Sequence, residues 1–290
     1  PVAAHRGRGE GGVSVLASQR RSAILALVEE AGAARVSELV DQLGVSDMTV
    51  RRDIERLDAE GLLERVHGGA IALLPRAADE PGFSAKSSLM TAEKHAIALA
   101  AAALVEPGAT IGISAGTTTY EFARAIRNIP ALTVVTNSVP VAQLLHEGSG
   151  NHVVVLTGGV RTPSDALVGP VAVSALKGLH VDRLFLGAHG INRNAGLTTP
   201  NLVEAETNRA LVGASRSVCV LADHTKVGIV GLSTFMALDE VDTLITDAGL
   251  PSRARGILEE SVDHLLLADM AGPHLTSARQ AGDAANGGRS

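Results

Sequence analysis

Between residues 18 and 74 the apolar positions recur at helical spacing and then switch to short alternating runs. Ile24, Leu27 and Val28 mark the inward stripe of a first helix, QRRSAILALVEEAG, which Gly32 is expected to end. Val36, Leu39, Val40 and Leu43 share one face of a second helix at a period of about 3.6 residues. Gly44 permits a sharp turn, Val45 fills the angle behind it, and Ser46 suits an N-cap that accepts from the Thr49 amide. In the third helix Val50, Ile54 and Leu57 fall at i, i+4 and i+7 and point inward, leaving Met48, Thr49, Arg52 and Arg56 on the opposite side. Leu62 to Val66, a His67-Gly68-Gly69 turn and Ala70 to Leu74 then predict a hairpin.

The pattern breaks at Pro75. Residues 75–91 are rich in Pro, Gly, Ala and Ser and read as a linker, and residues 92–270 alternate strands with helices. Helices are expected over 92–105, 117–127, 138–147, near 168–177 and over 202–213. Between and after them come the strand-like runs ATIGI, LTVVT, HVVVLT, VDRLFLGA and SVCVLAD, with further strands near 242–246 and 263–267. These runs are dense in Val, Ile and Leu without polar alternation, the mark of a mainly parallel sheet covered on both faces. Residues 1–17 read as a disordered leader without the apolar core of a signal peptide, and 271–290 as a disordered tail.

An arginine-bearing face beside a Gly-Gly hairpin is the arrangement of a winged helix-turn-helix that reads duplex DNA. Arginine suits forked contacts with guanine edges and phosphates. Candidate DNA-binding residues are Ser46, Thr49, Arg51, Arg52, Arg56 and the hairpin's His67. The bland alternative is an amphipathic helix pair in an ordinary α domain, which leaves the arginine face and hairpin unexplained. Acidic residues outnumber basic ones over 18–75, and the whole chain carries a net charge of −6. Binding is therefore expected to rest on a local basic strip and on paired copies rather than on bulk charge. With no Trp, one Tyr and four Phe, the chain is poorly equipped to bind single strands by base stacking. Cys219 is the only cysteine, so it forms no internal disulfide and no thiolate metal cluster. No metal or other cofactor is expected, no apolar run is long enough to span a bilayer, and a cytoplasmic location follows.

In parallel sheets ligands bind at the carboxyl ends of the strands. Small polar residues recur there: Ser114 to Thr119 after ATIGI, Asn137-Ser138 after LTVVT, Gly158-Gly159 after HVVVLT, His189 to Asn192 after LFLGA, and His224-Thr225-Lys226 after CVLAD. Amides and hydroxyls at the start of the helix from Thr117 suit an anion such as phosphate. Each piece has a plainer reading as a helix cap, a turn, a solvated lysine or a structural histidine; their recurrence on one edge favours a shared pocket. No GxxxxGK[ST] or GxGxxG motif is present.

The stretch VSELVDQLGVSDMTVRRDIERLDAEGLLERVHGGAI resembles the DNA-binding end of DeoR-family bacterial regulators. The blocks ISAGTTT, TNS, TGG, GLTT and ADHTK resemble that family's sugar-phosphate effector domain, over about 18–268 and in the same order. The resemblance implies a repressor of carbohydrate genes modulated by a phosphorylated sugar, with an effector domain similar to sugar-phosphate isomerases. It implies that Gly116, Thr117, Thr118 and Thr119 hold the phosphate and that Ser138, Gly158, Gly159 and Lys226 line the rest. Ser114 stands where the family usually has Asp, and His189 where it often has Asp or Ser; both touch the expected sugar side. The alternative function is a sugar-phosphate isomerase or deaminase, which needs a positioned carboxylate; Glu204 and Glu206 are its candidates. One winged helix rarely binds tightly alone, so dimers or tetramers joined through the second domain are expected.

Overall fold

The computed structural model describes residues 17–31, 33–71, 82–269 and 272–274. The chain divides after Leu74 into two compact units. The expected leader, apart from Ala17, lies outside the described residues, as do Gly32, residues 72–74 and the tail beyond His274.

The N-terminal unit contains α1 (Ala17–Ala31), β1 (Ala33–Arg35), α2 (Val36–Leu43), α3 (Asp47–Ala59), β2 (Glu64–Val66) and β3 (Gly69–Ile71). Ile24 and Val28 of α1, Val36 and Leu39 of α2, and Val50, Ile54 and Leu57 of α3 are buried together with Leu63 and Ala70. The inward stripe of α1 includes Leu25, while Leu27 is only half-buried. The helix faces both α3 and β1, and that span is wider than one row of side chains. Gly44 ends α2 in the left-handed conformation, and its amide donates to Val40 O. The hairpin carries a third strand that periodicity did not reveal: β1 pairs with β3, giving the order β1-β3-β2. Gly69 allows it, since a Cβ there would lie 2.3 Å from Ala34 O.

The C-terminal unit begins with α4 (Phe83–Ser87), a short helix inside the stretch expected as linker, and α5 (Thr91–Ala102). There follow β4 (Thr110–Ile113), α6 (Thr117–Ile126), β5 (Thr133–Thr136), α7 (Val139–His146) and β6 (Val153–Leu156). A small hairpin, β7 (Val160–Arg161) and β8 (Leu167–Val168), leads into α8 (Pro170–Leu176) and β9 (Arg183–Gly187). Then come β10 (Gly190–Asn192), β11 (Gly196–Thr199), α9 (Leu202–Gly213), β12 (Val218–Leu221) and β13 (Ser233–Met236). The described part closes with β14 (Thr243–Asp247), α10 (Ser252–Ser261), β15 (His264–Asp269) and β16 (Gly272–His274).

Seven of these strands form a parallel sheet in the order β15-β14-β12-β9-β4-β5-β6, and β16 adds an antiparallel edge beside β15. Alternate residues of one strand enter different cores. Ile111, Ile113, Phe185, Cys219 and Leu221 pack with α5, α6 and α7, while Leu184, Leu186, Val218 and Val220 pack on the other side with residues of α8, α9 and α10. The apolar run of β6 departs from this rule. As the edge strand it leaves Val153 59% exposed, so dense Val there does not mean burial on both faces. Strands β10, β11 and β13 form a separate antiparallel sheet that includes GLTT, a block that carried the family resemblance but was not read as a strand. From β4 the chain builds outward through β5 and β6, then returns to place β9, β12, β14 and β15 on the other side. The gap beyond the ends of β4 and β9 is thus the topological switch point, where such sheets form ligand crevices.

Candidate functional site

On α3 the polar residues fall where the apolar stripe leaves them. Ser46 caps the helix: its Oγ accepts from the Thr49 amide at 3.3 Å and lies 2.8 Å from Thr49 Oγ1, so the two hydroxyls serve each other. Arg51 pairs with Asp47 through two hydrogen bonds of 2.5 and 3.2 Å, which raise its pKa through hydrogen bonding and charge. Arg56 pairs with Glu60 at 3.1 Å, and Arg65 of β2 with Glu55 at 2.6 Å. Arg52 is exposed and makes no ion pair among the described residues. It lies between Met48, itself 66% exposed, and Arg56 on the outward face. Exposed ion pairs are weak and give way readily to a phosphate partner, so Arg51 and Arg56 are available as well. His67 is exposed in the turn between β2 and β3.

A partly buried charge pair ties this helix to α1 from behind. Asp53, 6% exposed, accepts from Arg20 of α1 at 2.5 Å. Neither residue was picked out as a pair from sequence. The available signal was an aspartate on the inward stripe, three residues after Val50 and one before Ile54.

In the C-terminal unit, hydrogen bonds tie the loops at the sheet edge to one another. Ser114 is buried; its Oγ accepts from the Gly187 amide at 3.0 Å and joins the ends of β4 and β9. The Ala115 amide donates to Asn137 Oδ1 at 2.8 Å, and Asn137 Nδ2 donates to Leu167 O at 3.2 Å, joining the loops after β4 and β5 to the β7–β8 hairpin. Ser138 caps α7 and bridges to Ala166. The loop after β12 is joined to β10, with the Gly228 amide donating to Ile191 O at 2.8 Å. Thr119 Oγ1 is turned back to Gly116 O at 3.0 Å, whereas the hydroxyls of Thr117 and Thr118 make no hydrogen bond among the described residues. The first amides of α6 likewise have no helical acceptor, so two hydroxyls and an amide cluster are presented together.

Gly158 and Gly159 lie in the turn into β7 with positive φ. Gly159 (φ 121°) has a second constraint: a Cβ there would lie 2.5 Å from Val168 O. Glu204 and Glu206 stand on α9, the latter exposed. His224 Nδ1 lies 2.7 Å from Asp247 Oδ2, which holds the ring at the ends of β12 and β14.

Two buried charges accompany Lys226. Lys94 of α5, 3% exposed, donates from Nζ to Lys86 O at 2.6 Å and to Leu89 O at 2.8 Å. Burial lowers its pKa to about 8, with Lys226 and Lys86 acting in the same direction and Asp223 and Glu121 opposing. Asp223, 1% exposed, directly follows the end of β12 and Ala222. Its Oδ1 accepts from the Thr225 amide and hydroxyl, while its buried Oδ2 has no hydrogen-bond partner among the described residues. Burial alone would raise the Asp223 carboxyl; Lys226, the Thr225 hydrogen bonds and Lys94 outweigh it and hold the group below the usual carboxylate range. Neither residue was singled out from sequence as a site residue, although Asp223 lies within the ADHTK block. Lys94 stands at i of an inward stripe completed by Ile97, Ala98 and Ala101, and that position was the signal.

Residues 20–75 match the family of DeoR-like helix-turn-helix domains, and residues 89–248 match the DeoR C terminal sensor domain. The chain is 36% identical over 249 residues to the uncharacterized HTH-type transcriptional regulator YgbI of Escherichia coli K12, covering 86% of this chain and 97% of that protein. It is 32% identical over 256 residues to a putative aga operon transcriptional repressor of Escherichia coli O157:H7, covering 87% of this chain and 94% of that one. It is 35% identical over 231 residues to the lactose phosphotransferase system repressor of Staphylococcus aureus NCTC 8325, covering 79% of this chain and 91% of that one. A solved ribose 5-phosphate isomerase A from Methanocaldococcus jannaschii overlaps 46% of this chain and 53% of its own, with 19% identity and a TM-score of 0.35. An overlap of that extent bears on neither activity nor ligand.

Proposed function

The chain belongs to the DeoR family of DNA-binding transcriptional regulators, and from that premise we propose that it represses genes of carbohydrate metabolism under the control of a phosphorylated sugar. Arg52 reaches base edges, Arg51, Arg56 and His67 meet the phosphate backbone, and Ser46 and Thr49 fix the start of α3 against the duplex. The sugar phosphate binds at the carboxyl edge of the parallel sheet. Gly116, Thr117, Thr118 and Thr119 receive the phosphate, and Ser138, Gly158, Gly159 and Lys226 line the remaining space. The observation that carries this reading is the pair of threonine hydroxyls, Thr117 and Thr118, without hydrogen-bond partners among the described residues, at the start of α6 at the switch point of the sheet.

The protein acts as a regulator rather than a sugar-phosphate isomerase. Regulators and repressors match it over nearly their whole length, which supports this choice. It acts in the cytoplasm as a dimer or tetramer, since two winged units are needed to address two half-sites. Among the described residues no helix is long and apolar enough to cross a membrane.

Titration with a panel of sugar phosphates tests the ligand assignment. Tyr120, the sole tyrosine, follows Thr119 directly and meets the ring of Phe83 edge-on at 5.7 Å. A cognate ligand changes Tyr120 emission and raises the melting temperature with concentration, by mass action. A panel that changes neither removes the effector assignment.

A further inference from the structure

The two edges of the parallel sheet are finished differently. Beside β15 the antiparallel β16 closes one edge, and its Pro273 has no N–H to offer a further strand. At the other edge β6 has no described strand beyond it. The amides of Val153 and Thr157 donate to Leu132 O and Thr136 O on the β5 side, so by alternation the backbone N–H and C=O of Val154 and Leu156 face outward. Nothing along residues 151–160 blunts that edge: the run NHVVVLTGGV contains no Lys, Arg, Asp, Glu or Pro. Its side chains are apolar as well. Val153, Val155, Leu156 and Val160 are exposed, and Val171 of α8, also exposed, lies 3.6 Å from where a Cβ on Gly158 would stand. An exposed apolar strip with open backbone groups calls for another strand.

We propose that β6 is an interface between two copies of this chain, paired antiparallel about a two-fold axis at Val155. The proposal rests on the paired-copy reading above and adds where the copies join. In that register Val154 of each copy exchanges both backbone hydrogen bonds with Leu156 of the other, and Val155 stands opposite itself in a non-hydrogen-bonded pair. One strand thereby satisfies the outward groups of its twin, and the exposed valines are covered at the same time. A strip without charge lets two chains of net charge −6 meet without like charges opposite one another. The place where the chain enters the C-terminal unit also fits a second copy. The Phe83 amide donates to Pro163 O at 3.1 Å, in the hairpin that directly follows β6. Residues 72–81 precede that point and span at most about 33–36 Å when extended. Antiparallel pairing sets the two hairpins at opposite ends of a seam only a few residues long. Both tethers start from that seam, and their reach covers half-sites about 34 Å apart.

Cross-linking of the full chain tests the register, and Cys219, the only native cysteine, is buried. In a non-hydrogen-bonded antiparallel pair the opposing Cα atoms lie about 4.5 Å apart, within the range a disulfide spans. Under oxidised glutathione, Val155→Cys is therefore expected to form a covalent dimer at least about ten-fold faster than Val153→Cys, which faces Thr157 of the other copy instead of itself. Val155→Lys sets two ammonium groups opposite each other. Sedimentation of that variant, with its far-ultraviolet dichroism unchanged, is expected to show a dimer at least about ten-fold weaker than wild type. If Val155→Lys does not fold, the two cysteine variants still decide. A wild-type dimer in which Val155→Cys cross-links no faster than Val153→Cys overturns this interface and leaves the paired-copy reading intact. Wild-type protein that stays monomeric at tens of micromolar overturns both. The assay uses neither DNA nor a sugar phosphate, so its outcome is independent of the operator and effector assignments.

Discussion

On α3 Arg51 and Arg56 are exposed and pair with acids one turn away, whereas Lys94 of α5 and Asp223 after β12 are buried, and one Asp223 oxygen has no hydrogen-bond partner among the described residues. The first arrangement suits a partner that is itself a large polyanion. Weak surface pairs hold the arginines ready, and a duplex replaces the acidic partners without any buried group being exposed. The second suits a small ligand, because a low-dielectric site strengthens each contact and penalises each one left unmade. One region reads shape and sequence from outside; the other is completed by what enters it.

Breaking the partly buried support of α3 has the largest expected effect. Asp53→Ala removes the charge-assisted hydrogen bond that ties α3 to the half-buried Arg20 of α1 and costs the N-terminal unit about 1.5–3 kcal/mol, read by chemical denaturation. DNA binding falls with it, while sugar-phosphate binding by the C-terminal unit persists. Loss of ligand binding in that variant would show that the two regions are not separable in this way.

Lys94 sharpens the contrast through pH. Its folded pKa of about 8 lies below the ordinary 10.5, so the unfolded chain binds the extra proton between these values. Stability therefore rises as pH increases from about 8 to about 10.5, by on the order of 2–3 kcal/mol at most. Lys94→Met removes that rise, is at least as stable as wild type below pH 8, and weakens phosphate binding. Parallel pH profiles for the two proteins, from urea melts, would contradict the buried-charge description.

Arg52→Ala lowers operator affinity by about 1–3 kcal/mol and relaxes preference at the bases it meets, read by fluorescence anisotropy over a salt series. Unchanged affinity would move base reading to other side chains. The smallest effect is at the cap: Ser46→Ala destabilises α3 by about 1 kcal/mol and frees the Thr49 hydroxyl, measurable by thermal unfolding.

The same contrast explains what was legible in the sequence. The helix-turn-helix and the parallel sheet announced themselves through apolar periodicity, and Arg52 followed as the residue left opposite Val50, Ile54 and Leu57. Loop residues such as Thr117 and Gly159 were legible because helix starts and tight turns demand those residue types locally. Asp53 and Lys94 were not, because a charged residue on an inward stripe takes its partner from another element that spacing does not reveal, and the burial of Asp223 in its loop leaves no periodic signal. Strand β1 was hidden for a related reason: Ala33 to Arg35 carry no strand-forming side chains, and pairing with Gly69 to Ile71 defines the strand. The exposed β6 shows the reverse failure, since Val-rich composition does not distinguish an edge strand from a central one.

The most direct measurement is the affinity of the full chain for duplex DNA from the regions flanking its own gene, titrated with and without saturating sugar phosphates. Preferential binding over scrambled duplex, shifted at least about five-fold by one sugar phosphate, is the predicted result. Equal affinity for promoter and scrambled duplex, with no response to any sugar phosphate, would contradict it.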